Sequence, residues 1–309
     1  MRKSVFISIL SCFAQATMAQ GCSDAGVCTI GDFYAKRIED AKKAVRKNEI
    51  DLSFNYGAHG SQERFYQPQI NFRHIKKNGS FFEIRLPLSI ARMTEFDGPN
   101  SLTNTGIGDI TATYNNKFSL DKDHPVKYSV GLRISFSNAD KSSGQTIYSY
   151  PMSLQNGLGT TDILAAASYD LGKYVSVGTG IQVPVIQYNK HVAKFVPAPF
   201  TVVNGEGFRR KPDALLKLMG HYQWKQIKLN AGALGIFHLG EDHYNSSSGK
   251  YVLEGSSGTT LNLTAELICA LSKQWTVGIL YAEPFKTRKI IPDGLARSRI
   301  VSAKLTFGF

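Results

Sequence analysis

The sequence predicts an all-β fold, a transmembrane antiparallel up-and-down β-barrel of about twelve strands. Three observations predict it: apolar and polar residues alternate in twelve segments, short and long connections alternate between them, and the chain ends on an alternating segment. In that last segment, Arg299–Phe309, apolar residues hold every second position up to the terminal residue. A barrel needs its last strand to pair with the first, since an open edge in lipid leaves backbone groups unsatisfied.

The first twenty residues predict a secretory signal peptide. Arg2 and Lys3 precede the apolar run Val5–Leu10, and small residues follow, so we expect export and cleavage near Ala19 or Gln20. The run is too short to span a membrane as a helix. A lipoprotein in which Cys12 or Cys22 is acylated is an alternative.

The predicted N-terminal segment of the mature chain, residues 21–48, contains two closely spaced cysteines. Export favours a local disulfide between Cys22 and Cys28, and Cys269 would stay unpaired and face lipid. With no histidine beside the pair, we expect no metal site, and no cofactor is expected. The following stretch, Phe33–Lys47, has a narrow helical apolar stripe, which fits either a short periplasmic helix or a plug that enters the barrel.

The barrel is predicted to occupy residues 49–309. Its strands are Glu49–Ala58, Phe65–Ile75, Phe81–Arg92, Gly108–Leu120, Pro125–Ser137, Thr161–Asp170, Tyr174–Val185, Asp213–Trp224, Gln226–His238, Thr259–Leu271, Gln274–Glu283 and Arg299–Phe309. Every second connection is a turn of a few residues, and the long loops between the turns include Met93–Ile107, Asn138–Thr160, Ile186–Lys211 and Leu239–Gly258. This asymmetry is typical of outer-membrane barrels, whose turns are periplasmic and whose loops lie outside the cell.

Aromatic residues support the same orientation. They lie near the turns on the predicted outward face, where an interfacial girdle belongs. These residues are Phe72, Phe82, Phe118, Tyr169, Tyr174, Tyr222, Trp224, Trp275 and Phe307. We further expect Phe307 and Phe309 to act as the signal that the barrel-assembly machinery reads. The expected localisation is the outer membrane of a Gram-negative cell, in contact with its lipid.

The inward faces predict a wet lumen of mixed charge. Twelve tilted strands give a backbone radius of roughly 12 Å, which leaves room for a small solute or a plug. The candidate lumen-facing residues are Arg73, Glu83, Arg85, Asp109, Lys117, Lys127, Arg133, Asp213, Lys217, His221, Lys228, Glu266 and Lys304. They fit a channel that tolerates anionic solutes, or they could cross-link a closed interior. The formal net charge of +12 is spread along strands, so we expect no nucleic-acid partner.

Three short motifs resemble those of a transporter family. Gly106–Asp109, the Tyr169–Lys173 hairpin and the terminal Phe309 look like the outer-membrane proteins of a MetA-type phenol-degradation pathway, distant relatives of the FadL-type channels. The resemblance implies passive uptake of small hydrophobic or aromatic compounds across the outer membrane.

Two other functions stay open at this point. A barrel lipid hydrolase would need a serine and a histidine on one face with an orienting Asn or Asp, but no G-x-S-x-G or H-E-x-x-H motif occurs, so we expect no catalytic residues. A structural or adhesive barrel could act through its long loops. Apolar loop residues such as Met152 could constrict the lumen or pack above it, and the oligomeric state is undetermined.

Overall fold

A computed structural model describes residues 47–59, 63–94, 101–119, 125–144, 147–195, 203–247, 249–293 and 299–309. The predicted signal peptide, the disulfide between Cys22 and Cys28, and the stretch that precedes Lys47 lie outside the described residues. Within those residues, the chain forms seventeen strands and a single-turn 3-10 helix, Met152–Leu154. No helix of this part of the chain is long and apolar enough to cross a membrane.

Twelve strand positions close into one antiparallel barrel, which confirms the predicted fold class. β4 and β5 both pair with β3 and together form one barrel position, interrupted at Gly108 and Asp109. The barrel strands are β1 (Asn48–His59), β2 (Glu63–Ile75), β3 (Phe81–Thr94), β4 (Ser101–Ile107), β5 (Ile110–Ser119), β6 (Pro125–Ile134), β7 (Thr160–Asp170), β8 (Val175–Gln187), β11 (Asp213–Trp224), β12 (Ile227–His238), β15 (Gly258–Ala270), β16 (Trp275–Lys286) and β17 (Arg299–Gly308).

The C-terminal strand closes the barrel. β17 pairs with β1 from Gly308 opposite Glu49 to Arg299 opposite Ala58. The Phe309 N–H donates to the Asn48 carbonyl at 3.0 Å, and the Phe309 carbonyl accepts from the Asn48 N–H at 3.0 Å. These two bonds tie the end of the chain to the start of the barrel, so no open edge remains between the two strands.

Side chains alternate between an apolar outer face and a polar inner face. Along β3, Phe82, Ile84, Leu86 and Leu88 are exposed on the outside, and the residues between them are buried inside. Cys269 is half-buried and shares the outward register of Leu267. A broad exposed apolar belt of this kind fits a lipid surface rather than water.

The two ends of the barrel differ. At the turn end, lysines of the short turns lie over outward aromatic rings: Lys76 over Phe82 at 4.8 Å and Lys225 over Trp224 at 5.3 Å. Such contacts suit side chains at a boundary between lipid and water. The long connections gather at the opposite, loop end.

Three of the stretches predicted as loops contain strands, so the prediction was wrong there. β4 lies within Met93–Ile107; β9 (Val192–Phe195) and β10 (Val203–Arg209) lie within Ile186–Lys211; and β13 (His243–Ser246) and β14 (Gly249–Val252) lie within Leu239–Gly258. The alternation that marks a barrel strand is weak there. The outward residues of β4, for example, are mostly Ser and Thr, so apolar periodicity could not reveal it.

The loops form a second sheet with a small apolar core of its own. β14, β13, β10 and β9 form a second, four-stranded sheet in that order. Apolar loop residues bury together as a cluster that we name the loop core: Ala139, Met152, Leu158, Phe208, Tyr244 and Leu253. Met152 therefore packs with other loop residues.

Candidate functional site: the barrel lumen

A cavity extends along most of the lumen. Near the turn end its wall includes Asp170 and His221, and near the loop end it includes Asn55, Glu283 and Arg299. Its empty volume is about 1990 Å³, including the part that opens to solvent. The inward residues of β1, β2 and β15–β17 contribute much of the wall, β6–β8 contribute a smaller share, and β5 contributes none of the described lining residues.

Two parts of the cavity wall carry apolar side chains. Leu215, Met219 and Leu234 face inward from β11 and β12, and Leu280 and Ile300 face inward from β16 and β17. Along β11, the inward positions alternate between apolar Leu215 and Met219 and polar Lys217 and His221. The cavity therefore offers both apolar surface and hydrogen-bonding groups to a solute.

A cluster of charges covers the inner surface of β1–β3. The Arg73 guanidinium lies 3.3 Å from Glu49, 2.9 Å from Asp51 and 3.3 Å from Glu83. Arg85 contacts the same Glu83 carboxylate at 2.8 Å. Both arginines line the cavity, and the three buried carboxylates around them outnumber their two positive charges.

A second cluster, which we name the loop-end ion cluster, is almost entirely buried. It consists of Asp109, Arg133, Asp162, Arg210, Asp213, His238, Asp242, Arg288 and Asp293. Arg210 is at its centre: its side chain is 0% exposed and contacts Asp162, Asp213 and Asp293.

The remaining contacts of the loop-end ion cluster join the barrel wall to the loops. Arg133 lies 2.5 Å from Asp162, and His238 connects Asp213 at 2.6 Å with Asp242 at 2.8 Å. Arg210 and Asp242 come from connections rather than barrel strands. A buried charge is tolerated only with such partners, so the cluster fixes the loops on this part of the barrel mouth.

The loop core is anchored by a buried histidine. His191 Nε2 lies 2.8 Å from the Tyr150 carbonyl, which can only accept, so Nε2 carries the proton; Nδ1 then accepts from the Tyr244 hydroxyl at 2.9 Å. Burial lowers the pKa of His191 below its ordinary value of 6.5. Burial also raises the pKa of Tyr244, which stays a neutral donor.

A chain of hydrogen bonds runs along the cavity wall in its turn half, from β8 through β11 and β12 to β15. The Ser176 Oγ lies 2.7 Å from His221 Nε2, and His221 Nδ1 lies 2.8 Å from Asn230 Oδ1. Asn230 Nδ2 donates to Glu266 at 2.7 Å, and Glu266 lies 3.8 Å from Lys304. Lys127 pairs separately with Asp170 at 2.8 Å.

The thirteen predicted lumen residues fall into three groups. Those that line the cavity are Arg73, Arg85, Lys127, Lys217, His221, Glu266 and Lys304. Those that lie inside the barrel without lining the cavity are Glu83, Asp109, Arg133, Asp213 and Lys228. Lys117 is exposed near the turn end of β5 and does not line the cavity.

Several residues of these clusters were not singled out from the sequence. They are Arg210, Asp242, Arg288 and Asp293, which lie in connections where no periodicity marks them, and Ser176 and Asn230. Asn230 could have been found, because the turn at Lys225 fixes the register of β11 against β12 and places Asn230 opposite His221.

Comparison with known proteins identifies the fold. No family model matches the sequence, and no curated protein is similar to it. Among solved structures, an outer-membrane channel from Pseudomonas putida F1 superposes with a TM-score of 0.60 at 12% identity, covering 86% of this chain and 96% of that chain. The chain shares the fold of that channel.

Two toluene transporters are more distant in structure. TodX of P. putida gives a TM-score of 0.43 at 10% identity, covering 89% of this chain and 93% of its own. TbuX of Ralstonia pickettii gives 0.46 at 9% identity, covering 89% of this chain and 92% of its own.

Proposed function

We propose that the protein is an outer-membrane channel for the passive uptake of small solutes. The observation that carries the proposal is a continuous cavity whose wall includes Asp170 near the turn end and Arg299 near the loop end. The apolar outer belt and the signal-like N-terminus support the outer-membrane location.

The cavity wall supports a solute class as well. Leu215, Met219 and Leu234 provide apolar surface, and polar side chains line much of the rest of the cavity. We therefore expect small solutes that combine an apolar or aromatic body with a polar group. This class includes the aromatic compounds that the resemblance to phenol-pathway transporters implies.

Single-channel conductance in planar bilayers tests the proposal. Gly278 faces the cavity, and a Cβ there would meet nothing closer than 3.7 Å, so a side chain can begin at this position and Gly278→Phe adds an aromatic ring to the passage. Gly220 is exposed outward, and Gly220→Phe is the matched control on the lipid face. We expect steady conductance in the native protein, a severalfold decrease in Gly278→Phe and no change in Gly220→Phe. A folded barrel that conducts nothing, or two variants with equal conductance, would refute passage through this cavity.

A further inference from the structure

Ser176, His221 and Asn230 form a hydrogen-bonded series on the cavity wall. They come from β8, β11 and β12, which are neighbours in the barrel, and all three line the cavity. The serine–histidine and histidine–asparagine distances are 2.7 Å and 2.8 Å. A nucleophile, a base and a group that orients the base stand in this relation in serine and cysteine hydrolases.

The hydrogen bonds fix which atom donates. Glu266 is a carboxylate, so the Asn230 amide must point its NH₂ at Glu266 and its Oδ1 at His221. His221 Nδ1 therefore carries the proton and donates to Asn230. The other ring nitrogen, Nε2, is then left as the acceptor for the Ser176 hydroxyl, and this is the tautomer that a general base needs.

We propose that this series is a hydrolytic site for short-chain carboxylic esters that enter the lumen. Ser176 is the nucleophile, His221 is the general base, and Asn230 is the residue that positions His221. The activity goes beyond the proposed channel function and needs only that esters reach the cavity.

The surroundings of Ser176 leave space for a substrate. Gly178 is the next inward residue of β8, and a Cβ there would meet nothing closer than 3.5 Å. Met219, the partner of Ser176 across the strand pair, offers apolar surface for a short acyl chain. Lys217 stands opposite Gly178 and lines the cavity, and in the proposed site its ammonium faces the developing oxyanion. The Asp170 carboxylate opposite Ser176 is bound by Lys127, which balances its charge.

The reaction balances with water as the only co-reactant. Ser176 Oγ bonds to the ester carbonyl carbon as its proton passes to His221 Nε2, and the negative oxygen faces Lys217. The intermediate then expels the alcohol, which takes the proton from Nε2 and leaves an acyl group on Ser176. A water molecule attacks that acyl group with Nε2 as base, so the acid is released and the serine hydroxyl is restored.

Two measurements on the purified, refolded barrel test the site. The first locates the residue modified by a fluorophosphonate probe, using peptide mass spectrometry. The second follows hydrolysis of p-nitrophenyl butyrate. We expect the probe on Ser176, and a decrease in turnover of about a hundredfold or more in Ser176→Ala and His221→Gln. The matched control is Ser302→Ala. Ser302 also lines the cavity, but it lies on β17, which is separated from β8 by four other strands, and none of the described hydrogen bonds joins it to a histidine. Its turnover should equal that of the native protein.

The positioning role of Asn230 needs a different measurement. Asn230→Ala removes the acceptor that holds the His221 ring, so the pH–rate profile of probe labelling should shift. The variant should still unfold cooperatively, so that the shift can be assigned to His221 and not to loss of the fold. An unchanged profile would refute the positioning role.

The outcomes separate hydrolysis from transport. Turnover in Ser176→Ala equal to that of the native protein, or a folded barrel whose Ser176 takes no probe, would overturn the hydrolytic site. Because Ser176→Ala alters little volume, its conductance should stay native, so the channel proposal stands or fails by itself.

Discussion

The loop-end ion cluster and the cavity contain similar residue types, but their packing is opposite. Arg210 is completely buried and contacts three carboxylates. Lys304 faces the cavity, has 27% of its side chain exposed and lies 3.8 Å from its carboxylate. A charge that is buried away from water is tolerated only if ionic partners offset its desolvation, whereas a charge that water still reaches gains little stability from its partners. Inward charge in this barrel therefore has two separate uses, fixing the loops and lining a passage.

The largest effect should come from breaking the loop-end ion cluster. Arg210→Met keeps much of the side-chain volume but leaves Asp162, Asp213 and Asp293 without their shared cation. Removal of one partner from a buried ion pair costs about 3–5 kcal/mol, so the free energy of unfolding should fall by that amount. Urea unfolding followed through Trp224 and Trp275 fluorescence measures it. A native midpoint would show that the cluster does not hold the barrel together.

A pair of glycine substitutions compares the same two regions by packing alone. A Cβ at Gly157 would overlap the Asp109 and Ser135 side-chain oxygens, whereas at Gly178 the nearest atoms are 3.5 Å away. Overpacking typically costs about 1–3 kcal/mol. Gly157→Ala should therefore lower the unfolding midpoint, and Gly178→Ala should leave it unchanged or slightly higher. Equal shifts would mean that the loop end is as loosely packed as the cavity.

Acid should loosen the loop core before it affects the barrel. Because burial lowers the pKa of His191 below 6.5 in the folded protein, the open state binds the proton more readily. The contribution of neutral His191 is complete above pH 6.5 and is lost as the pH falls through the lower, folded pKa. Hydrogen exchange of β10 and the 3-10 helix, corrected for intrinsic rates, should accelerate below pH 6.5.

His191→Gln separates this response from that of the other histidines. The glutamine amide can still donate to the Tyr150 carbonyl, but it does not titrate. The extra exchange on acidification should therefore disappear in the variant. If the variant opens with acid as the native protein does, another group controls the loop core.

The sequence predicted the two regions to very different degrees. Lipid requires apolar residues at every second position, so barrel strands such as β3 and β17 could be located within a few residues. The same alternation identified Lys217 and Arg133 as inward, but it did not indicate that Lys217 lines the cavity whereas Arg133 is buried in an ion cluster. That distinction depends on Arg210, Asp242 and Asp293, whose connections have no periodic constraint and meet only after the barrel closes. The β9–β10 and β13–β14 pairs were missed for the same reason. They pair with one another in a separate sheet at the loop end, so lipid does not require apolar residues at every second position of these strands.

The smallest effect should come from Lys217→Met, which repeats the substitution of a cation by methionine on the cavity wall. Lys217 lines the cavity and is only partly buried, so water can replace whatever its ammonium contacts. The free energy of unfolding should change by less than about 1 kcal/mol, as for exposed ion pairs. Measured beside Arg210→Met, it isolates burial as the variable. A loss as large as that of Arg210→Met would mean that this stretch of the lumen is a packed interior, and neither passage of solutes nor access of water to Ser176 could then be maintained.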